Sequence, residues 1–205
     1  MTSLKSAINK VFGLDPFITV VSGLPRSGTS MMMSALREGG MPLLVDGIRV
    51  ADRNNPKGYY EYEPVKKLPK GNVKWLRTAK GEAVKIISAL LEFLPKGYQY
   101  RIIFMERDIE EILASQKRML VRGMMVEEKP VSDEDLQKSY QAHLKQVKSY
   151  LAEENDWLQV IYVSYNQVLQ DPEGEFQRVA KFLDGSVDPI AMAQIVDPDL
   201  YRERK

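Results

Sequence analysis

Phe17-Ile18-Thr19-Val20-Val21-Ser22-Gly23-Leu24-Pro25-Arg26-Ser27-Gly28-Thr29-Ser30 is the stretch on which the fold turns. Its opening, Phe17 to Val21, is a short, β-rich apolar run bounded by turn residues, which reads as a buried strand of a parallel sheet. Gly23 to Gly28 reads as a loop, and Thr29 to Glu38 as a helix stopped by Gly39-Gly40. Strand, glycine loop and helix begin a β-α-β unit. Such a loop turns backbone N–H groups inward around an oxygen-rich anion. The helix start adds unpaired donors and the positive end of its dipole. Arg26 contributes a planar cation, and Ser27, Thr29 and Ser30 contribute hydroxyls. The spacing is that of the nucleotide triphosphatase loop G-x-x-x-x-G-K-[ST], with Ser30 kept, but Thr29 stands at the Lys position. That Lys reaches the β- and γ-phosphates, so its absence argues against ordinary ATP or GTP hydrolysis. The competing structural reading is an unspecialised Gly-rich turn.

Working outward, the remaining pattern alternates strands and helices. Leu4, Ala7, Ile8, Val11 and Phe12 recur at helical spacing, predicting an N-terminal helical extension over residues 1–16. Ala83–Ile87, Tyr100–Met105 and Leu158–Val163 read as three further strands. Asp108 is placed to cap a helix burying Ile109, Ile112, Leu113, Met119 and Leu120. Ser132 to Asp135 has the form of a capping box before a long helix reaching about Glu154, with Leu136, Tyr140, Leu144, Val147 and Leu151 inward. Asp171-Pro172 opens a last helix that buries Phe176, Val179, Ala180 and Leu183 and ends at Gly185. Tyr59 to Glu63 reads either as a strand or as the approach to a short helix. The expectation is a single α/β domain over residues 1–205, three-layered, with a mainly parallel sheet flanked by helices. Residues 41–82 would form an insertion beside the site.

Composition narrows the chemistry. The chain has 205 residues, with 29 Lys plus Arg against 28 Asp plus Glu, a net charge of +1. No overall field is available to hold a nucleic acid, so any anion site must be local. There is no Cys and a single His, His143, which excludes thiolate sites and zinc sites built on several imidazoles. No metal is expected. No apolar run approaches the ~18 residues of a membrane span, and no apolar segment follows the first charged residues as in a secretory leader. The expected location is cytoplasmic. Lys66 to Lys85 carries seven basic residues and one acidic, Glu82, the pattern of a solvated face or of a surface that helps hold an anion.

Gly23-Leu24-Pro25-Arg26-Ser27-Gly28-Thr29-Ser30 resembles the 5′-phosphosulfate loop of the sulfotransferase family, most closely its Pro-Arg-Ser-Gly-Thr branch. A second match is Arg107 at the end of the strand 100–105, with Ser115 eight residues on, similar to the family's 3′-phosphate motif. Val163-Ser164-Tyr165 through Leu169, Asp171-Pro172 and Phe182-Leu183 resembles its closing strand, turn and helix. The resemblance runs from about residue 17 to 185. It implies a P-loop-like sulfotransferase fold and 3′-phosphoadenosine 5′-phosphosulfate as co-substrate. A small-molecule or peptide acceptor would receive the sulfuryl group on a hydroxyl or amine. Arg26, Ser27, Gly28, Thr29 and Ser30 would hold the phosphosulfate, and Arg107 and Ser115 the 3′-phosphate. Arg107 has a structural alternative, a salt bridge to Glu106, Glu110 or Glu111; for Ser115 it is a solvent-facing or back-bonded helix serine.

The match departs at the base that must take the acceptor's proton. Where the aryl and steroid branch has Lys-Thr-His, this chain has Lys85-Ile86-Ile87: the Lys is kept and the His is not. Lys85 is then expected against the transferring group, and His143 is expected to be structural. A carboxylate base is the alternative, with Glu61 favoured, Glu63 second, and Asp46 and Asp52 behind. In a strand, Glu61 and Glu63 would share a face. The family's later Arg-Lys-Gly segment has no counterpart, leaving Arg202 or Arg204 as substitutes. The rival readings are a P-loop small-molecule kinase and a noncatalytic nucleotide-binding protein of the same fold.

Overall fold

The computed structural model describes residues 16–49, 58–123, 132–153 and 156–196. Four strands form one sheet: β1 (Ile18–Gly23), β2 (Ala83–Lys85), β3 (Tyr100–Glu106) and β4 (Leu158–Ser164), in the order β2-β1-β3-β4. Every pairing is parallel, with Val20 opposite both Val84 and Ile102, and Ile102 opposite Val160. All six residues of β1 are buried, as its unbroken apolar run requires of a central strand covered on both faces.

The alternation of side chains sorts the core into two halves. Val21, Ile103, Met105 and Val163 point to one face. There they meet α1 (Thr29–Glu38), α4 (Tyr165–Gln170), α5 (Pro172–Phe182) and α6 (Pro189–Ala193). Ile18, Val20, Val84, Ile102 and Phe104 point to the other. That face is covered by three 3₁₀ helices, Glu63–Lys70, Lys74–Arg77 and Ser88–Phe93, and by α3 (Asp133–Leu151). The remaining helix, α2 (Ile109–Gly123), follows β3. The architecture is the expected three-layer α/β sandwich.

Local chemistry sets the helix boundaries. Asp108 Oδ1 accepts the Glu110 N–H at 2.9 Å, and Ser132 Oγ accepts the Asp135 N–H at 3.1 Å, so both expected caps form. Asp171 caps α5 through the Gly174 N–H at 3.0 Å, with Pro172 in the first turn. The Gly185 N–H returns to the Ala180 carbonyl at 2.7 Å and closes that helix.

Several elements differ from expectation. β2 stops at Lys85, and Ile87 is exposed. Of the two readings of Tyr59 to Glu63, the approach to a short helix holds: Tyr59–Tyr62 leads into the 3₁₀ helix, whose Pro64 and Pro69 lack the N–H groups a strand would need. The shared strand face for Glu61 and Glu63 is therefore lost. The long helix ends at Leu151, and of its inward set only Val147 and Leu151 are buried. The expected N-terminal helix lies outside the described residues, as do Asp52, Arg202, Arg204 and the side chains of Met119 and Leu120.

The topology marks a candidate site before any side chain is considered. From β1 the chain crosses to β2 on one side, then returns to β3 on the other, so the strand order reverses between β1 and β3. A parallel sheet opens a crevice at the carboxyl ends of its strands at such a point. The loop after β1 and Arg107 after β3 both lie there. Phe104, fully buried on β3 and edge-on to Tyr162 at 5.7 Å, anchors the sheet beneath the crevice. Phe104→Ala is expected to cost about 3–5 kcal/mol of stability, read by chemical denaturation.

Candidate functional site

The glycine loop is held in one shape by crowding. A Cβ on Gly23 (φ +143°) would stand 2.5 Å from Ser27 Oγ and 2.6 Å from the Met105 carbonyl oxygen. One on Gly28 (φ +101°) would stand 2.5 Å from the Tyr165 ring. Only glycine fits either place. Arg26 is left-handed at φ +73°, a conformation that costs a non-glycine residue about 1–3 kcal/mol and persists only when its surroundings hold it. Two contacts do so. Arg26 Nε donates to Ser115 Oγ at 2.9 Å, and the Arg26 carbonyl accepts from Arg107 Nη1 at 3.1 Å. Helix α1 begins with no side-chain cap at Gly28 and no acid in its first turn. Its N-terminal end therefore keeps the character of an anion site. Ser27 is buried, and its Oγ has no hydrogen-bond partner among the described residues.

Arg107 is 8% exposed and its guanidinium is gripped from several sides. Nε donates to Glu111 Oε2 at 2.9 Å, and the Tyr165 ring lies 4.4 Å away. Glu111, itself 5% exposed, also accepts from Asn166 Nδ2 at 3.0 Å through Oε1. The salt bridge anticipated as an alternative thus exists, to Glu111, while the same guanidinium still reaches the loop. Ser115 is buried and bonded to Arg26, neither solvent-facing nor back-bonded. Arg26, Arg107 and Ser115 are brought together. A cavity of about 380 Å³ opens beside Arg107, lined among others by Leu24, Ser27, Gln141 and Leu144.

Across the loop stands Lys85, at the end of β2. Its Nζ donates to the Tyr59 carbonyl and lies 3.5 Å from Ser30 Oγ. Ser30 Oγ also faces the Tyr59 carbonyl at 3.5 Å. Burial pushes the Lys85 amine down to about 8; Glu61 opposes that shift and Arg49 adds to it. The segment after Gly58 therefore runs over the loop and brings Glu61 to the same side.

The candidate bases separate by their partners. Glu61 accepts from Arg49 Nη1 at 2.8 Å, with Lys66 Nζ at 3.9 Å. Glu63 pairs with Lys66 and donates its backbone N–H to Asp46 Oδ2 at 2.5 Å. Asp46 also accepts from the Ile48 N–H at 3.0 Å. The Glu63 N–H in particular holds the Asp46 carboxyl below its usual range, so Asp46 shapes the loop and is poorly suited to accept a proton. His143 Nε2 lies 2.8 Å from the buried Ser88 Oγ, the structural role expected of it. Glu111, Asn166 and Tyr165 are the participants that sequence reasoning missed or left as one option among three. The one signal available was the i+4 step from Arg107 to Glu111. Among the described residues no group of three or more His, Asp or Glu side chains could hold a metal ion, and no helix is long and apolar enough to cross a membrane.

The sequence profile of the sulfotransferase family matches residues 59–189, more than half of the chain, and the chain belongs to that family. The match starts after the glycine loop. No curated protein sequence matches the chain. Among solved structures, it is similar to the sulfotransferase domain of the Synechococcus PCC 7002 olefin synthase. Identity there is 15%, TM-score 0.51, with 93% of this chain and 84% of that one covered. It is likewise similar to the sulfotransferase domain of the curacin biosynthetic pathway. In that case identity is 13%, TM-score 0.52, with 90% and 79% covered. These likenesses show the fold.

The buried amine gives a direct test. Followed by NMR of the lysine side chains, Lys85 should titrate near pH 8, well below the bulk of the lysines. Between that value and the ~10.4 of an unfolded lysine, the unfolded chain binds the extra proton. The contribution of Lys85 to stability should therefore rise with pH across that window.

Proposed function

We propose that the chain transfers a sulfuryl group from 3′-phosphoadenosine 5′-phosphosulfate to a hydroxyl or amine of a small-molecule or peptide acceptor. The observation that carries this reading is the convergence of Arg26, Ser115 and Arg107 on the crevice between β1 and β3, at the uncapped start of α1. The donor carries two anionic ends on one adenosine, and the residues fit both. The glycine loop with Ser27, Gly28, Thr29 and Ser30 suits the phosphosulfate; Arg107 and Ser115 suit the 3′-phosphate.

The chemistry asks little beyond positioned charge. The acceptor oxygen bonds to sulfur while the bond from sulfur to the bridging phosphate oxygen breaks. The leaving 5′-phosphate takes the electron pair, and the acceptor proton passes to a base. Arg26 and the N–H groups of the loop and helix start would meet the charge growing on the leaving phosphate, the preorganised form of stabilisation that does most in such transfers. Lys85, bonded beside Ser30, is in reach of a group held by that serine and would balance the sulfuryl oxygens. An arriving anion would also favour its charged form.

Glu61 is the base in this reading. It lies on the segment whose Tyr59 carbonyl touches Lys85, and the adjoining 41–82 region supplies the acceptor side. Its pair with Arg49 would have to yield to the acceptor. Arg49 itself lies 3.5 Å over the Tyr59 ring, at the rim where an acceptor would enter.

Thermal shift separates this donor from a nucleoside triphosphate. Adenosine 3′,5′-bisphosphate should raise the melting temperature and ATP–Mg should not. Arg107→Ala should weaken the bisphosphate about tenfold or more, the usual worth of hydrogen bonds to a charged group. Unchanged affinity would remove the second anion site. With acceptor pools, Glu61→Gln should cut acceptor-dependent release of the bisphosphate by about 10²-fold or more while its affinity holds.

A further inference from the structure

We infer that Glu111 is a positioning residue for the second anion site, setting how strongly the protein distinguishes a 3′-phosphorylated nucleotide from one lacking that group. The inference rests on the donor reading above and assigns a role to a carboxylate that reading does not use.

A buried acid beside an anion site needs an account, because its charge repels the ligand. Glu111 is 5% exposed, and its two oxygens are committed to different elements. Oε2 takes the Arg107 Nε–H at 2.9 Å, and Oε1 takes the Asn166 Nδ2–H at 3.0 Å. Arg107 follows β3, Glu111 lies on α2, and Asn166 is in the first turn of α4 after β4. The carboxylate thus ties the guanidinium to the neighbouring strand's exit. The Tyr165 ring at 4.4 Å limits it on one face, and the Arg26 carbonyl takes Nη1 at 3.1 Å. A guanidinium recognises phosphate through a planar fork, so its orientation decides whether paired hydrogen bonds form. Nε held by Glu111 and Nη1 held by the loop set that plane before any ligand arrives. Glu111 also neutralises a cation that burial would otherwise destabilise.

Two effects compete. Removing the carboxylate relieves its repulsion of a phosphate, and it frees Arg107 to turn. The geometry favours the second. Glu111 approaches from the Nε edge, with the guanidinium between it and Arg26, so its repulsion is screened by the cation it holds.

The test is the ratio of dissociation constants for 5′-AMP and adenosine 3′,5′-bisphosphate, by calorimetry on the full chain. Wild type should prefer the bisphosphate. Glu111→Gln, which keeps shape but loses charge, should shrink that preference by roughly tenfold, the worth of a charge-assisted hydrogen bond. Asn166→Ala, which loosens Glu111 without stranding Arg107, should shrink it less, and its melting temperature reports the fold independently. Glu111→Asp should fall between wild type and Glu111→Gln. A ratio unchanged or increased in both Glu111→Gln and Asn166→Ala overturns the inference. If wild type itself shows no preference for the bisphosphate, it is the donor reading that fails. Should Glu111→Gln not fold, the Asn166→Ala ratio decides.

Discussion

The hydrogen bond from the Arg107 guanidinium to the Arg26 carbonyl, backed by the one from Arg26 Nε to Ser115 Oγ, spans the mouth of the sheet and joins the glycine loop to the exit of β3. Its donor follows β3 and its acceptor lies in the loop after β1, strands that pair in parallel with Gly23 opposite Met105. That register brings the two strand exits side by side. The same contacts hold the left-handed turn at Arg26 and engage the buried Ser115, while the Tyr165 ring crowds Gly28. Without these contacts, the glycine turn and the arginine would be separate features of an ordinary α/β domain.

The site is also electrically economical. In a chain of net charge +1, attraction for a multiply charged ligand has to be built locally. In the proposed reading Arg26, Arg107 and Lys85 would supply it from three strand exits, and the start of α1 would add backbone dipole. Burial makes each cation costly alone. Arg107 is compensated by Glu111, whereas Lys85 loses part of its hold on the proton. An anion between them would stabilise the charged form of Lys85.

Much of this was legible in the chain. β1, β3 and β4 are continuous apolar runs ended by turn residues, so their burial and their alternation with helices could be read directly. The caps at Asp108, Ser132 and Asp171 are local side-chain chemistry, and they form as local chemistry predicts. The loop and the Arg107–Ser115 spacing marked two strand-end features by residue type and position, and the fold brings those residues into contact. The 58–93 region was harder. Its 3₁₀ helices have no strong period, so strand and short helix both stayed open for Tyr59 to Glu63, and Pro64 and Pro69 fit the second. A shared face for Glu61 and Glu63 held only for the strand option; in the structure one pairs with Arg49 and the other opens a helix. The grip on Arg107 was out of reach for a different reason. Asn166 and Tyr165 come from the corner after β4, and only the pairing of β3 with β4 brings them to Arg107.

The most direct measurement is a crystal structure of the protein with adenosine 3′,5′-bisphosphate. The account predicts one nucleotide lying across the crevice between β1 and β3. Its 5′-phosphate should rest on the N–H groups of Gly28, Thr29 and Ser30, and its 3′-phosphate should lie within hydrogen-bond distance of both Arg107 and Ser115. A nucleotide bound elsewhere, or one whose 3′-phosphate turns away from Arg107 into solvent, would contradict it.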